Sequence, residues 1–186
     1  MTRIAALVLA AGRSQRMGAA NKLLMEIDGA PMVARVVAAA LASKAEPVLV
    51  VTGHEADAVG AALADLEITL IHNPNYAEGL STSLAAGLTA MPEDIDGAVI
   101  CLGDMPWVGA AVIDSLIDGF DEQGICLPTH RGRRGNPVLW AKRYFAEMQA
   151  IEGDRGARDL IAKHADRVRE IECDGSVLRD VDTLNT

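Results

Sequence analysis

The sequence predicts an α/β protein with three layers (αβα), in which a mainly parallel, Rossmann-like sheet is covered by helices on both faces. Apolar runs of strand length alternate along the chain with segments of helical length, a pattern typical of parallel sheets with helical crossovers. Half of the residues are apolar, but only 3% are aromatic. A core built mainly from Ala and Val favours helices packed closely on a sheet of small side chains.

The first half of the chain contains three predicted strands and three predicted helices. Pro31 suits the first turn of the first helix, and Ser81 or Thr82 is a candidate N-cap for the third. The Asp-Gly-Ala-Pro segment at residues 28–31 has the composition of a turn. The predicted strands are 4–9, 47–52 and 67–71, and the predicted helices are 31–43, 54–63 and 80–90.

The second half continues the alternation. No internal repeat or linker interrupts it, so we expect a single domain over residues 1–186. Ligands of such sheets bind at the carboxyl ends of the parallel strands, and the segments after residues 9, 71 and 102 are rich in Gly, Asn and charge. The predicted strands are 97–102, 124–127, 137–140 and 168–172, and the predicted helices are 109–120, 141–149 and 155–164.

Charge and composition exclude several classes of function. The net charge of −9 argues against nucleic acid as the main partner, because binding to a phosphate backbone needs a basic face. The apolar run 4–11 is too short for a signal peptide, and no run is long enough to span a bilayer. Cys101, Cys126 and Cys173 fit neither a disulfide framework nor a zinc site. We therefore expect a cytoplasmic protein with no membrane partner.

The segment after the first strand is suited to binding phosphate. It reads LAAGRSQRMG (residues 9–18), followed by NKLL (21–24). Small residues let the backbone N–H groups approach a phosphate, while Arg13, Arg16 and Lys22 add positive charge. The segment is neither a P-loop nor the dinucleotide-binding glycine motif. A solvated, arginine-rich loop remains the alternative.

Carboxylates at two other places are candidate metal ligands. Asp104 follows the predicted strand 97–102, where a carboxylate suits Mg²⁺ and substrate phosphates; an ordinary turn is the alternative. Asp180 and Asp182 lie on the same side of an extended segment. One of them completes the metal site if the tail returns to the carboxyl edge of the sheet, and a solvated tail is the alternative.

These segments and several others, in order, resemble the MobA-like NTP transferases, and in particular their molybdopterin cytidylyltransferase branch. The opening resembles the L-x-[AG]-G-x-S-x-R-M-G…K-L signature of that superfamily. The resemblance covers essentially the whole chain and implies a fold of the nucleotidyltransferase type. The further blocks are GLSTSL (79–84), GDMP (103–106), GRRGNPV (132–138), GDRGAR (153–158) and DVDT (180–183), the last similar to the usual D-I-D-T ending.

The resemblance implies a Mg²⁺-dependent enzyme that moves CMP from CTP to molybdopterin and releases pyrophosphate, in molybdenum cofactor maturation. It assigns catalytic roles to Arg16, Lys22 and Asp104, and metal binding to Asp104 and Asp182, with Asp180 as the runner-up. A phosphate acceptor is already ionised near neutral pH, so no catalytic histidine is expected. A molybdoenzyme or its chaperone is a further candidate partner.

The resemblance also implies a nucleotide-binding set. The guanylyl branch has Gly at the position of Ala11, and a methyl group there could shrink the base pocket and favour CTP, by roughly 1–3 kcal/mol. For the segments around Asn73 and Ser81, loop and cap chemistry is the alternative. The full set is Leu9, Ala10, Ala11, Gly12, Arg13, Arg16, Lys22, Asn73, Gly79, Ser81, Thr82, Ser83 and Asp104.

The acceptor side falls, by the same resemblance, on two arginine-rich blocks. Paired Arg donors suit a phosphate, although surface arginines on loops are the alternative. Trp107 and Trp140 could stack on a heterocycle or pack in the core. The expected acceptor-binding residues are Arg133, Arg134, Gly135, Asn136, Pro137, Asp154, Arg155 and Arg158.

Three other functions compete with this prediction. The nearest keeps the chemistry but uses GTP, or a sugar phosphate as the acceptor. A non-catalytic protein that binds a nucleotide or cofactor and serves a molybdoenzyme as a chaperone would not need the paired carboxylates. An NAD oxidoreductase fits the general fold but not the opening loop, which lacks the expected glycines.

Overall fold

The computed structural model describes residues 2–12, 21–153 and 157–181, and its main element is a sheet of eight strands. The strands are β1 (Ile4–Ala10), β2 (Glu26–Ile27), β3 (Ala30–Pro31), β4 (Val48–Thr52), β5 (Thr69–His72), β6 (Gly97–Leu102), β7 (Ile125–His130), β8 (Arg133–Arg134), β9 (Val138–Ala141) and β10 (Val168–Glu172). The helices are α1 (Met32–Leu41), α2 (Ala56–Ala62), α3 (Leu80–Thr89), α4 (Ala110–Asp118), α5 (Phe145–Gln149) and α6 (Arg158–Lys163). Within these described ranges, every helix is too short or too polar to cross a membrane.

The sheet is mixed but mostly parallel. Its order is β10-β7-β9-β6-β1-β4-β5, and β8 pairs with β7. Among the described strands of this sheet, β9 and β8 run antiparallel to their neighbours, and the other pairs are parallel. A parallel crossover needs about a dozen residues or more, and the short connection 131–137 between β7 and β9 forces the chain to reverse instead.

Helices cover both faces of the sheet, as predicted. Alternate residues of β1 contribute to two separate cores, with Ala6 and Val8 on one face and Leu7 and Leu9 on the other. Residues of α1, α2 and α4 complete the first core, and residues of α3, α5 and α6 complete the second. The three-layer αβα prediction is therefore confirmed.

Most predicted elements are present, with shifted ends. Pro31 lies just before α1 rather than in its first turn. The predicted cap of α3 is wrong, because Gly79 occupies that position and the Thr82 hydroxyl donates to the Gly79 carbonyl. The predicted turn at Asp28 and Gly29 joins β2 to β3, and both residues have positive φ, as a tight hairpin turn requires.

The three cysteines differ in how deeply they are buried. Cys101 and Cys126 are buried free thiols, and Cys173 is a half-buried one. Burial raises the pKa of the Cys101 thiol to about 12. This thiol therefore stays protonated and is a packing residue rather than a nucleophile.

Substitution of Gly87 tests how closely α3 packs on the sheet. A Cβ there would lie 2.6 Å from the Leu7 methyl groups and 2.9 Å from Val51 Cγ2. We expect Gly87→Ala to destabilise the protein by about 1–3 kcal/mol in urea unfolding. Gly60→Ala is the control, because a Cβ there meets only Leu70 Cδ1 at 3.6 Å, and we expect it to stabilise α2 by about 0.5–1 kcal/mol. Equal stabilities of the two variants would contradict the packing.

Candidate active site

The carboxyl ends of β1 and β6 form the point where the order of the sheet reverses. From β1 the chain builds β4 and β5 on one side, and then crosses to place β6 on the other side of β1. Open α/β sheets bind ligands in the crevice at such a point. The segments that follow β1 and β6 carry the predicted phosphate loop and Asp104.

Gly103 brings the loop after β6 close to β1. Its N–H donates to the Leu9 carbonyl at 3.0 Å. A Cβ at this position would lie 2.9 Å from that carbonyl oxygen and 3.2 Å from Leu23 Cδ2. Only glycine allows this approach, and it sets Asp104 directly beyond the end of β1.

Lys22 and Asp104 form an ion pair at this edge. Lys22 Nζ lies 3.1 Å from Asp104 Oδ2, and the two side chains are 14% and 24% exposed. Asn21 fixes the short 3₁₀ turn Lys22–Leu24, because its side chain accepts from the Leu23 N–H at 3.1 Å. The sequence prediction included both charged residues but missed Asn21 as a cap, although Asn before a helical turn is a recognisable signal.

The C-terminal tail returns to Asp104. The Val181 N–H donates to the Asp104 carbonyl at 3.2 Å, and the Val181 side chain is buried in the core on the face of the sheet that α1, α2 and α4 cover. Asp180 is half-buried beside it. Asp182 lies outside the described residues, so its predicted role as a metal ligand stays a prediction.

The opening loop is described as far as Gly12, and Arg13 and Arg16 lie outside the described residues. Leu9, Ala10 and Ala11 are buried, and Gly12 is exposed. A Cβ on Gly53 would lie 2.9 Å from Ala11 Cβ and 2.5 Å from Tyr76 Cβ. The Ala11 methyl therefore packs beside Gly53 and Tyr76.

Asn73 holds the loop before α3 in place. Its side-chain N–H groups donate to Thr82 Oγ1 at 2.9 Å and to Ser83 Oγ at 3.0 Å. Its side-chain carbonyl oxygen accepts from the Asn75 backbone N–H at 3.0 Å. Ser81 is buried nearby, and Gly79 has a φ of 122°. The structure brings these predicted residues together, and the side chain of Asn73 bonds to those of Thr82 and Ser83.

A cleft of about 520 Å³ opens between α3, α6 and β9. Its lining includes Leu9, Leu80, Asn136, Trp140 and Arg158. Most of the wall is apolar, and its polar residues are Asn136, Arg158 and Asp159, so the cleft suits a largely apolar molecule that also carries polar groups. Trp140 is only 1% exposed and packs edge-on against the Tyr144 ring, which favours the core assignment.

The predicted acceptor residues are split between two places. Asn136 and Arg158 line the cleft, whereas Arg133 and Arg134 form β8 and are absent from its described lining. Arg134 Nε lies 2.7 Å from Glu170 Oε1 on β10. Gly135 packs against the backbone of Val177, Pro137 follows a cis bond, and Asp154 and Arg155 lie outside the described residues.

Glu172 anchors the hairpin that carries these arginines. Its carboxylate accepts from the Arg131 N–H at 2.9 Å and from Thr129 Oγ1 at 3.1 Å. The hydrogen bond from the Arg131 backbone N–H is the main cause of the lowered pKa of Glu172, and the hydrogen bond from the Thr129 hydroxyl lowers this pKa further. Sequence patterns do not reveal this residue, since the contact joins positions 41 residues apart.

The lowered pKa of Glu172 predicts a pH-dependent contribution to stability. It is fully present above the ordinary carboxyl pKa of 4.5 and is lost as the pH falls through the lower folded pKa. We expect Glu172→Gln to lower the melting temperature near neutral pH, and this difference to shrink as the pH falls below 4.5. A difference that stays constant through the acid range would contradict the carboxylate contacts.

The residues present fit a divalent cation. Mg²⁺ is usually held by one or two carboxylates together with substrate phosphates and water, and Asp104 supplies a carboxylate at the ligand edge. Within residues 2–12, 21–153 and 157–181, no cluster of three or more His, Cys, Asp or Glu side chains forms a complete protein cage. A single carboxylate, Asp104, suits a metal ion that binds together with a nucleotide and takes its other ligands from the phosphates and water.

Comparison with known proteins gives a consistent picture. The profile of the MobA-like NTP transferase domain matches residues 6–168. The molybdenum cofactor cytidylyltransferase of Escherichia coli (strain K12) is 31% identical over 82% of this chain and 76% of its own length. The bifunctional protein GlmU of Halorhodospira halophila (strain DSM 244 / SL1) is 35% identical over 62% of this chain, but the match spans only 24% of that relative.

Solved structures agree with the fold. Rv0371c from Mycobacterium tuberculosis H37Rv superposes with a TM-score of 0.88 at 29% identity, over 99% of this chain and 95% of the other. The structure of Rv0371C from the same organism in complex with manganese gives a TM-score of 0.81 at 25% identity, over 99% and 97% of the two chains.

Proposed function

The chain belongs to the MobA-like NTP transferase family of nucleotidyltransferases, and on that premise we propose that it moves CMP from CTP to molybdopterin and releases pyrophosphate. The observation that carries the chemistry is the pair of Lys22 and Asp104 at the point where the sheet order reverses. The cytidylyltransferase of E. coli, similar over most of both chains, supports the choice of substrates. A role in molybdenum cofactor maturation and a cytoplasmic location belong to the same proposal.

The reaction joins two anions, so the protein must offset their repulsion and align them. A terminal phosphate oxygen of the acceptor attacks the α-phosphorus of CTP, the bond to the β-phosphate oxygen breaks, and pyrophosphate leaves. Lys22 binds the phosphates with its ammonium group, and Arg13 and Arg16 of the opening loop add charge. The acceptor oxygen is already ionised, so no protein base has to remove a proton.

Asp104 would hold Mg²⁺ in this reaction, with Asp182 as the second carboxylate and Asp180 as the alternative. When bound, the metal supplies charge that stabilises the phosphate oxygens during transfer. Lys22 is already next to Asp104, so a small movement of its flexible side chain carries its ammonium group from the carboxylate to a phosphate. The manganese complex of the similar M. tuberculosis protein supports a divalent cation.

In this proposal the base and the acceptor bind in different places. We assign the base and ribose to the loop that Asn73 fixes and to the start of α3, from Gly79 to Ser83. The acceptor occupies the cleft, where Asn136 and Arg158 supply polar contacts. Arg133 and Arg134 then act at the edge of the acceptor site rather than inside the cleft.

A second candidate keeps the chemistry but uses a sugar phosphate as acceptor. The observation that favours it is the similarity to GlmU, which reaches 35% identity. A non-catalytic binding protein is disfavoured because it would not need Asp104 and Lys22 at the point where the sheet order reverses. Transfer from GTP to the same pterin is a further alternative.

The test is product formation with molybdopterin, Mg²⁺ and each of the four NTPs in separate reactions, read by mass spectrometry. A cytosine dinucleotide formed from CTP alone supports the whole proposal. A guanine dinucleotide would keep the mechanism and overturn the base assignment. Release of pyrophosphate only with sugar phosphates in place of the pterin would overturn the acceptor.

A further inference from the structure

We propose that residues 173–181, the C-terminal strap, couple the loop that carries Asn136 to the loop that carries Asp104. We further infer that a contact between Arg179 and Trp107 fastens the strap. Both residues are then positioning residues for the metal site. This inference rests on the proposed function in one respect, namely that Asp104 holds a divalent cation.

One end of the strap is fixed to the acceptor loop. The Asn136 N–H donates to the Val177 carbonyl at 3.0 Å. A Cβ on Gly135 would lie 2.2 Å from that same carbonyl oxygen, so the two backbones are in direct contact. The Val177 side chain is 1% exposed and packs with Met105, the residue after Asp104.

The other end is fixed to Asp104 itself. The Val181 N–H donates to the Asp104 carbonyl at 3.2 Å, and the Val181 side chain is buried in the core. Between the two ends, Arg179 is exposed, and its guanidinium carbon lies 4.1 Å from the centre of the Trp107 ring. This distance is well inside the range of a cation–π interaction, and Trp107 belongs to the same loop as Asp104.

The contacts form a continuous mechanical link. A shift of Asn136 moves Val177, and the short chain from Val177 to Val181 carries that shift to the Asp104 carbonyl. The Arg179 contact holds the middle of this chain against the Asp104 loop. Loss of the contact should let the strap detach more often, so the backbone that positions the Asp104 carboxylate becomes less fixed.

The test compares wild type with Arg179→Ala, Arg179→Lys and a control, Arg167→Ala. Arg167 is an exposed arginine whose side chain pairs with Asp166. The first measurement is amide hydrogen exchange at Val181 and Asn136 by NMR, in protein without substrates. The second is a Mn²⁺ titration in the presence of CTP, read by electron paramagnetic resonance.

We expect Arg179→Ala to speed exchange at Val181 about two- to five-fold, the range that an exposed cation–π contact supports. The Mn²⁺ concentration for half-saturation should rise by a similar factor, whereas kcat at saturating Mn²⁺ stays close to that of wild type. Arg179→Lys should give exchange rates and Mn²⁺ concentrations between those of Arg179→Ala and wild type, because lysine keeps the positive charge. Arg167→Ala should match wild type. The inference would be overturned if Arg179→Ala exchanged its amide hydrogens and bound Mn²⁺ as the control variant does.

Gly135→Ala tests the link from the other end. Its new Cβ pushes against the Val177 carbonyl, so exchange should become faster at both Asn136 and Val181. Faster exchange at Asn136 alone would mean that the two loops are not coupled. Exchange is read without nucleotide or acceptor, so failure of the cytidylyl transfer assay and failure of this inference are distinguishable.

Discussion

Replacement of Asp104 by asparagine should lower turnover about 1,000-fold, because loss of metal-based charge stabilisation removes several kcal/mol. Asparagine keeps the size of the side chain but not its charge. The fold should survive, since the Asp104 side chain is 24% exposed and its backbone contact with Val181 does not depend on the carboxylate. The nucleotide should still bind weakly through Lys22 and the opening loop.

The measurement is pyrophosphate release at saturating CTP and acceptor, with melting temperature as the check on folding. Asp118→Asn is the matched control, because Asp118 is an exposed carboxylate on α4 that pairs with Lys44. It should retain the activity of wild type. Turnover by Asp104→Asn within a few-fold of wild type would show that this carboxylate holds no catalytic metal.

Replacement of Lys22 by methionine should have the second-largest effect, roughly a 100-fold loss in kcat/KM. The reason is that the ammonium group is held in place to stabilise the negative charge that develops on the phosphates, and methionine lacks this charge. Methionine keeps the length of the chain and the packing of the 14% exposed side chain. The CTP concentration series that yields kcat/KM also separates weaker binding from slower chemistry. Lys163→Met, at an exposed lysine that pairs with Glu147, is the control.

The two substitutions should not be additive. Lys22 and Asp104 are in direct contact, and residues in contact couple in double-mutant cycles. The double variant should therefore lose less activity than the product of the two single losses. Full additivity would place the two residues in independent sites, against the geometry of the ion pair.

The sequence predicted most of the fold because local patterns determine it. The bounds of β6 and β10 agree with the prediction, since each is a short strand-forming run with clear ends. The antiparallel direction of β9 follows only from the short connection before it. The cap of α3 was mispredicted because the Thr82 hydroxyl bonds to the carbonyls of Asn75 and Gly79, which sequence spacing alone does not reveal.

The candidate site was predictable where a residue follows directly from a strand end. Asp104 directly follows the end of β6 in this way, whereas its contact with Lys22 depends on the turn Lys22–Leu24 that lies beyond the opening loop. The supporting contacts were not predictable, since Glu172 reaches Arg131 and Arg179 reaches Trp107 only through tertiary packing. The ion pair between Arg134 and Glu170 on β10 also depends on tertiary packing, and the predicted role of Arg134 at the acceptor site stays a prediction.

The most direct test of the central claim is the location of the metal in crystals grown with Mn²⁺ and a non-hydrolysable CTP analogue. Mn²⁺ scatters anomalously, so its position is read without assumptions about the nucleotide. We predict a peak within direct coordination distance of the Asp104 carboxylate, with the triphosphate lying across the carboxyl ends of β1 and β6. A well-defined Mn²⁺ and nucleotide bound elsewhere, with the Asp104 carboxylate uncoordinated, would contradict the account.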